Sequence, residues 1–251
     1  MRIDREYIED TLRQFALDYN TAEGEWVTDR IHLSPVKIRD GARIHEKTDS
    51  FFRAGILLGK AYVMADEAMH PWIKEVLCKE APEWWGAFRT LRKLDTELAK
   101  YDREILDTHI YFLPAEEPTD ERPRCKVRWF EGEELLQFQD NESVSHALCF
   151  SKTQPDRLAV AAYDGNTLLA MAGVSEDGRH LWQIGIDVLP EYEGRGLAAG
   201  LVTLLKQEVI RRRHVPYYGT AQTHAVSRSV GIAAGFLPAW SEIVVKRKES
   251  R

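Results

Sequence analysis

The apolar and polar positions change period about halfway along the chain. In the first half the pattern is mostly helical. Residues 4–19 place Ile8, Leu12, Phe15, Ala16 and Tyr19 on one face, with Asp4 available as a cap. A polar, irregular stretch from Asn20 to Lys47 follows, with a Ser34-Pro35 turn. Thr48 to Met64 carries Phe51, Phe52, Ile56, Leu57, Leu58, Tyr62 and Val63, a buried segment expected to be part helix with a short strand at Ala61–Met64. Asp66 is placed to cap a helix reaching Lys79. Pro82 suits the first turn of another that runs to Tyr101, with Trp85, Phe88, Leu91, Leu94 and Leu98 on one face. His109 to Leu113 reads as a strand. Residues 114–124, PAEEPTDERPR, carry prolines and acids and no apolar run, which predicts a linker.

The second half alternates instead. Strands are expected at Cys125–Phe130, Leu158–Tyr163, Leu168–Val174 and His180–Val188, with hairpin turns at Asp164-Gly165-Asn166 and Asp177-Gly178. Short helices are expected at Glu131–Phe138 and Asn141–Phe150. A longer helix begins near Leu197, since Leu197, Leu201, Leu204 and Leu205 recur at helical spacing. A last strand is expected at Pro216–Gln222. A meander of antiparallel strands followed by strand–helix–strand predicts a mixed α/β (α+β) fold, a mostly antiparallel sheet flanked by helices. The expected division is 1–122, a mainly helical accessory domain, and 123–251, the sheet domain. The tryptophan-rich first domain suits a packed accessory or dimerising element, giving a homodimer, or else a wall for an acceptor cleft.

Composition narrows the classes. In 251 residues, 44% are hydrophobic and 29% charged, ordinary for a globular protein. No apolar run is long enough to span a bilayer, and the charged start MRIDREYIED lacks a signal-peptide core. The expectation is a cytoplasmic protein without a membrane partner. The net charge is −6, and the acidic excess lies within residues 1–122, which disfavours nucleic acid. Cys78, Cys125 and Cys149 have no paired spacing, so neither a disulfide framework nor a metal site is expected, and burial of reduced thiols is.

The chemistry concentrates in HLWQIGIDVLPEYEGRGLAAG, His180 to Gly200. A strand runs into Pro190, which removes a ladder donor. Glu193-Gly194-Arg195-Gly196-Leu197-Ala198 then turns the chain into a helix. Glycines at a helix start let a ligand approach the backbone, and the unpaired first-turn N–H groups with the macrodipole favour an anion there. A dinucleotide fold would use Gly194, Gly196 and Ala199 as G-x-G-x-x-A, but would need a ribose-binding acid further on. Residues 209–241 contain no Asp or Glu.

The stretch resembles the GNAT superfamily of acyl-CoA N-acyltransferases, whose Arg/Gln-x-x-Gly-x-Gly/Ala turn is matched by Glu193, Gly196 and Ala198. Glu193 departs from the usual Gln or Arg, and Arg195 offers charge instead. Farther on, His224-Ala-Val-Ser227 and Gly235-Phe236 resemble the family's Asn-x-x-Ser, helix, Gly-Phe pattern. His224 stands where Asn is common, and Gly231 where many members carry a Tyr acting as general acid. The resemblance covers residues 124–246.

It implies a direct, ternary-complex transfer of an acetyl group from acetyl-CoA to a primary amine of a small molecule or peptide. The backbone of Ile186 and Val188 would lie along the pantetheine, and the amide of Val188 would meet the thioester oxygen. Glu193, Gly194, Arg195, Gly196, Leu197 and Ala198 would surround the diphosphate, with Ser227 nearby. Asp187 and His224 are the candidates for base and acid, with Tyr217 and Tyr218 as further acids. An acyl-CoA-binding sensor on the same fold is the alternative.

Overall fold

A computed structural model describes residues 2–22, 30–44, 48–117, 123 and 125–249. Most of the expected linker, residues 118–122 and 124, lies outside the described residues, and so does residue 122 at the expected boundary. The chain forms two compact units, Met1–Thr11 with Tyr111–Pro238, and Leu12–Ile110 with Ala239–Arg251. The chain passes from one unit to the other inside the first helix, between Thr11 and Leu12, and inside two long strands, β4 (Arg103–Pro114) and β10 (Phe236–Arg247).

The unit built around Leu12–Ile110 mixes helix and strand. Helix α1 (Arg5–Asp18) opens on Asp4, whose Oδ1 accepts from the Glu6 amide at 2.9 Å. Strands β1 (Ile31–Pro35), β2 (Phe52–Leu57) and β3 (Lys60–Ala65) follow, in the order β1-β3-β2-β10-β4. The helix expected within residues 48–64 is therefore the β2–β3 hairpin. Leu58 (φ 52°) and Gly59 (φ 71°) both adopt the left-handed conformation that a two-residue hairpin turn needs. Both faces of β2 and β3 are covered, so neither strand alternates and its period is hidden. Gly55 is required, because a Cβ there would lie 2.4 Å from the Tyr19 hydroxyl.

The two longer helices expected after residue 66 are also broken. Glu67–Met69 and Leu77–Lys79 are single 3-10 turns around the short α2 (His70–Glu75), which Pro71 opens. Pro82–Trp84 is another 3-10 turn, and α3 (Phe88–Leu98) begins only after Gly86. The region thus combines short helices with the strands β1, β2 and β3 and the start of β4. Its core joins Phe52, Val63, Met69, Ile73, Trp85, Leu94 and Leu98 with Ile243 and Val245 of β10.

In the other unit the order is β4, β9 (Val215–Ala221), β8 (Leu181–Val188), β7 (Thr167–Glu176), β6 (Asp156–Asp164), β5 (Lys126–Glu131). The pairs β5–β6, β6–β7 and β7–β8 are antiparallel and β8–β9 is parallel. Helices α4 (Leu197–Arg211) and α5 (Ala225–Ala233) flank the sheet. Gly132–Phe138 is a 3-10 helix, but the helix expected over residues 141–150 shortens to one 3-10 turn, Glu142–Val144. Val144, Ala147 and Leu148 pack on Ala159, Ala161 and Met171. Helix α4 contacts β6, β7 and β8 and is absent from that cluster, so it covers the opposite face. The cysteines are free, but Cys78 and Cys149 are exposed and Cys125 is half-buried, against the expected burial. No described helix is long and apolar enough to cross a membrane.

Candidate functional site

Strand β8 is paired unequally on its two edges. Toward β7 the ladder runs from Trp182↔Glu176 to Val188↔Ala170. Toward β9 it stops at Ile184↔Tyr218, although β9 itself continues to Ala221. Gly185 to Val188 therefore lie along an open edge. The Leu189 amide donates to Leu169 O at 2.9 Å, so odd-numbered amides of this strand face β7. Alternation turns the amides and carbonyls of Ile186 and Val188 to the open edge, where extended chain of another molecule can take the missing partner's place.

The closed end of the split is pinned by buried side chains. The Tyr217 hydroxyl lies 2.7 Å from Asp177 Oδ2 and 2.8 Å from Gln183 Oε1. Trp182 stacks on His214 with ring centroids 3.9 Å apart. Gly219 admits the Tyr111 ring, which a Cβ would meet at 2.7 Å.

The open edge leads directly into the turn. After the 3-10 turn Pro190–Tyr192, Gly194 (φ 71°) and Gly196 (φ 76°) hold left-handed conformations that favour glycine. Gly196 is the N-cap of α4 and no side chain caps the helix. The Gly200 amide bonds Gly196 O at 3.2 Å, which leaves the earlier amides of Leu197, Ala198 and Ala199 without intrahelical acceptors. A Cβ added at Gly194 or Gly196 would meet nothing within 4 Å. An uncapped helix N-terminus, open space at both glycines and a free strand edge leading to them fit a diphosphate with an extended arm. Glu193 is exposed. Arg195 Nη2 donates to Glu191 O at 3.0 Å and its guanidinium lies 5.2 Å from the Tyr192 ring centre.

The other candidates have structural partners. Asp187 Oδ2 accepts from the amides of His146 and Ala147, each at 2.8 Å, and Oδ1 lies 2.8 Å from His146 Nδ1. His224 is the N-cap of α5, with Nδ1 accepting from the Ser227 amide at 3.1 Å. Ser227 Oγ is 2.8 Å from the Tyr218 hydroxyl. Burial raises the Tyr218 phenol pKa, and the Ser227 bond offsets part of that. Gly231 is filled from outside: a Cβ there would stand 3.0 Å from the Tyr218 ring. The residue that sequence reasoning missed is His146, whose partner lies 41 positions away. A cavity of about 370 Å³ at Trp129, Glu134 and Arg212 involves β5 and the far end of α4, not β8.

Among the described residues, no group of three or more His, Cys, Asp or Glu is placed to hold a metal. Residues 112–230 match the family model of the acetyltransferase (GNAT) family. No curated protein matches the chain. A GCN5-related N-acetyltransferase from Sphaerobacter thermophilus is similar in structure, with 10% identity, a TM-score of 0.50, and coverage of 97% of this chain and 93% of that one. A GCN5-related N-acetyltransferase-like protein from Streptococcus suis gives 12% identity and a TM-score of 0.46 over 95% and 98% of the two chains. A GNAT-family protein from Novosphingobium aromaticivorans gives 18% and 0.46 over 59% and 69%. At 10% identity the likeness to the Sphaerobacter thermophilus protein concerns the fold alone.

Proposed function

Starting from the premise that residues 112–230 form a GNAT acetyltransferase domain, we propose that the chain transfers an acetyl group from acetyl-CoA to a primary amine of a small molecule or peptide, directly within a ternary complex. The observation that carries this reading is the β8 edge, unpaired from Gly185 to Val188 and continuous with the uncapped start of α4. The amides of Leu197 and Ala198 and the backbone at Gly194 and Gly196 would hold the diphosphate. Ile186 and Val188 would pair with the pantetheine amides as a strand partner would. Bound there, the cofactor supplies an activated thioester carbonyl. The Val188 N–H would donate to the carbonyl oxygen as negative charge develops. Glu193 and Arg195 would flank the diphosphate, with the Arg195 guanidinium as the cation of the turn. Ser227 holds Tyr218 at the start of α5.

Titration calorimetry with coenzyme A, followed by thiol release from acetyl-CoA with a panel of amines, tests the reading. Gly196→Glu imposes strain at φ 76° and puts a carboxylate against the amides, so a loss of at least about tenfold in affinity is expected, equivalent to about 1.4 kcal/mol. Unchanged affinity sinks the proposal. Because Asp187 and His224 are both tied into structural hydrogen bonds, an acyl-CoA-binding sensor is the second reading. Tight binding with no turnover on any amine would select it.

A further inference from the structure

We propose that His146 and Asp187 form a proton-accepting dyad, with His146 Nε2 as the base that takes the proton from the attacking amine and Asp187 as its positioning residue. The proposal rests on the acyl-CoA reading of the β8 edge and adds a residue to that site.

Three observations carry it. First, the ring is oriented. Asp187 Oδ1 holds His146 Nδ1 at 2.8 Å, while Oδ2 takes the amides of His146 and Ala147. Backbone and ring of one residue are thus fixed by one carboxylate. With the proton on Nδ1 directed at Asp187, the lone pair of a neutral ring sits on Nε2. The His146 side chain is 83% exposed, so Nε2 is accessible, while the Asp187 side chain is only 14% exposed.

Second, the segment carrying His146 lies directly on the strand. A Cβ at Gly185 would be 1.9 Å from His146 O, and one at Gly173 would be 2.0 Å from Ala147 O. Two facing glycines on paired strands, Gly173↔Gly185, remove the side chains that would hold this segment off the sheet. His146 is thereby anchored to the residue between Ile186 and Val188, the two whose amides face the open edge.

Third, the faces divide the labour. The α4 start lies on one face of the sheet and the His146 segment on the other. A cofactor entering from α4 leaves for the acceptor the opposite face, the one that carries the segment of His146.

The step balances as follows. The lone pair of a neutral amine attacks the thioester carbon and a C–N bond forms. The amine proton passes to His146 Nε2. The C–S bond breaks and the sulfur leaves with the electron pair as thiolate. The imidazolium then returns its proton to water, and the thiolate is protonated from water.

The test uses the full chain, acetyl-CoA and an amine panel. His146→Ala is expected to lower kcat about 100-fold, in the range ascribed to general bases, with coenzyme A affinity unchanged. Added imidazole should restore part of the rate in His146→Ala and none in the wild type, a response that a purely structural role would not give. Nitrogen-15 spectra should show the neutral His146 ring carrying its proton on Nδ1, and Asp187→Asn should shift it toward the Nε2–H form. Turnover retained within twofold in His146→Ala overturns the proposal, as does an Nε2–H ring in the wild type. A wild type that binds coenzyme A but turns over no amine also counts against the dyad. Failure of the wild type to bind coenzyme A removes instead the reading on which the dyad rests, so the two failures are distinct.

Discussion

Lys206 is a cation taken out of water inside α4. It is 3% exposed, donates from Nζ to Ala234 O at 2.5 Å, and lies 5.4 Å from the Phe236 ring centre. Burial lowers its pKa to about 8 from the usual 10.5. Between those two values the unfolded chain binds a proton that the folded chain does not, so stability rises with pH across that window. Below about pH 8 both states are protonated and the cost of burial is felt in full. The stability of the wild type relative to Lys206→Met should therefore increase by roughly 1–3 kcal/mol from pH 8 to pH 10. Urea denaturation of both proteins at several pH values reads this difference, and cysteine and tyrosine titrations common to both cancel. Parallel curves would mean that the amine is better solvated than its position suggests. Nothing in the sequence marks Lys206 as buried, since it follows Leu204 and Leu205 as any surface lysine on an amphipathic helix would. Its burial depends on the turn after α5 lying across α4.

At the scale of elements, legibility followed the number of covered faces. The β6 and β7 strands, their Gly165-Asn166 turn and the α4 start were readable because the period changes where the structure does. The Gly194 and Gly196 positions were readable for the same reason: a turn between a strand and a helix has few residue choices. The β2–β3 hairpin was not, because burial on both faces removes alternation. The non-helical course of residues 145–150 was not, because the amides of His146 and Ala147 bond the Asp187 carboxylate 41 and 40 residues away. That dependence yields a prediction. Gly185→Ala puts a methyl group against the His146 carbonyl at 1.9 Å, where backbone must move, and should destabilise by at least about 2 kcal/mol. Gly86→Ala, where a Cβ meets nothing within 4 Å, should stay within about 0.5 kcal/mol of the wild type. Equal melting temperatures for the two variants would remove the argument that these glycines seat the His146 segment.

At the scale of the whole chain, the ends close on each other through charge. Glu242 of β10 is fully buried, with Oε1 accepting from Arg43 Nη2 at 2.5 Å and from the Trp240 indole at 3.0 Å, and Oε2 from Arg53 Nη2 at 2.9 Å. Arg43 also holds the buried Asp18 at 2.6 Å, and its guanidinium lies 5.5 Å from the Trp240 ring centre. Two acids and two guanidiniums thus neutralise one another inside a single unit, joined across sequence separations of 199 and 189 residues. No local window of sequence could reveal this cluster, because Asp18, Arg43, Arg53 and Glu242 each read as a surface residue of its own element. Desolvation makes such a cluster costly to assemble and more costly to break, since removing one partner leaves another charge buried alone. Glu242→Gln should therefore cost about 3–5 kcal/mol, while keeping the size and the indole acceptor. An apolar replacement at Arg43 and Glu242 together should cost less than the sum of the two single changes, because neither charge is then stranded. Chemical denaturation of the two single variants and the double variant completes the cycle. A strictly additive result would mean that the ions are satisfied by water and not by each other, and that the apolar core of Phe52, Ile73 and Trp85 alone ties the last strand to the first hundred residues.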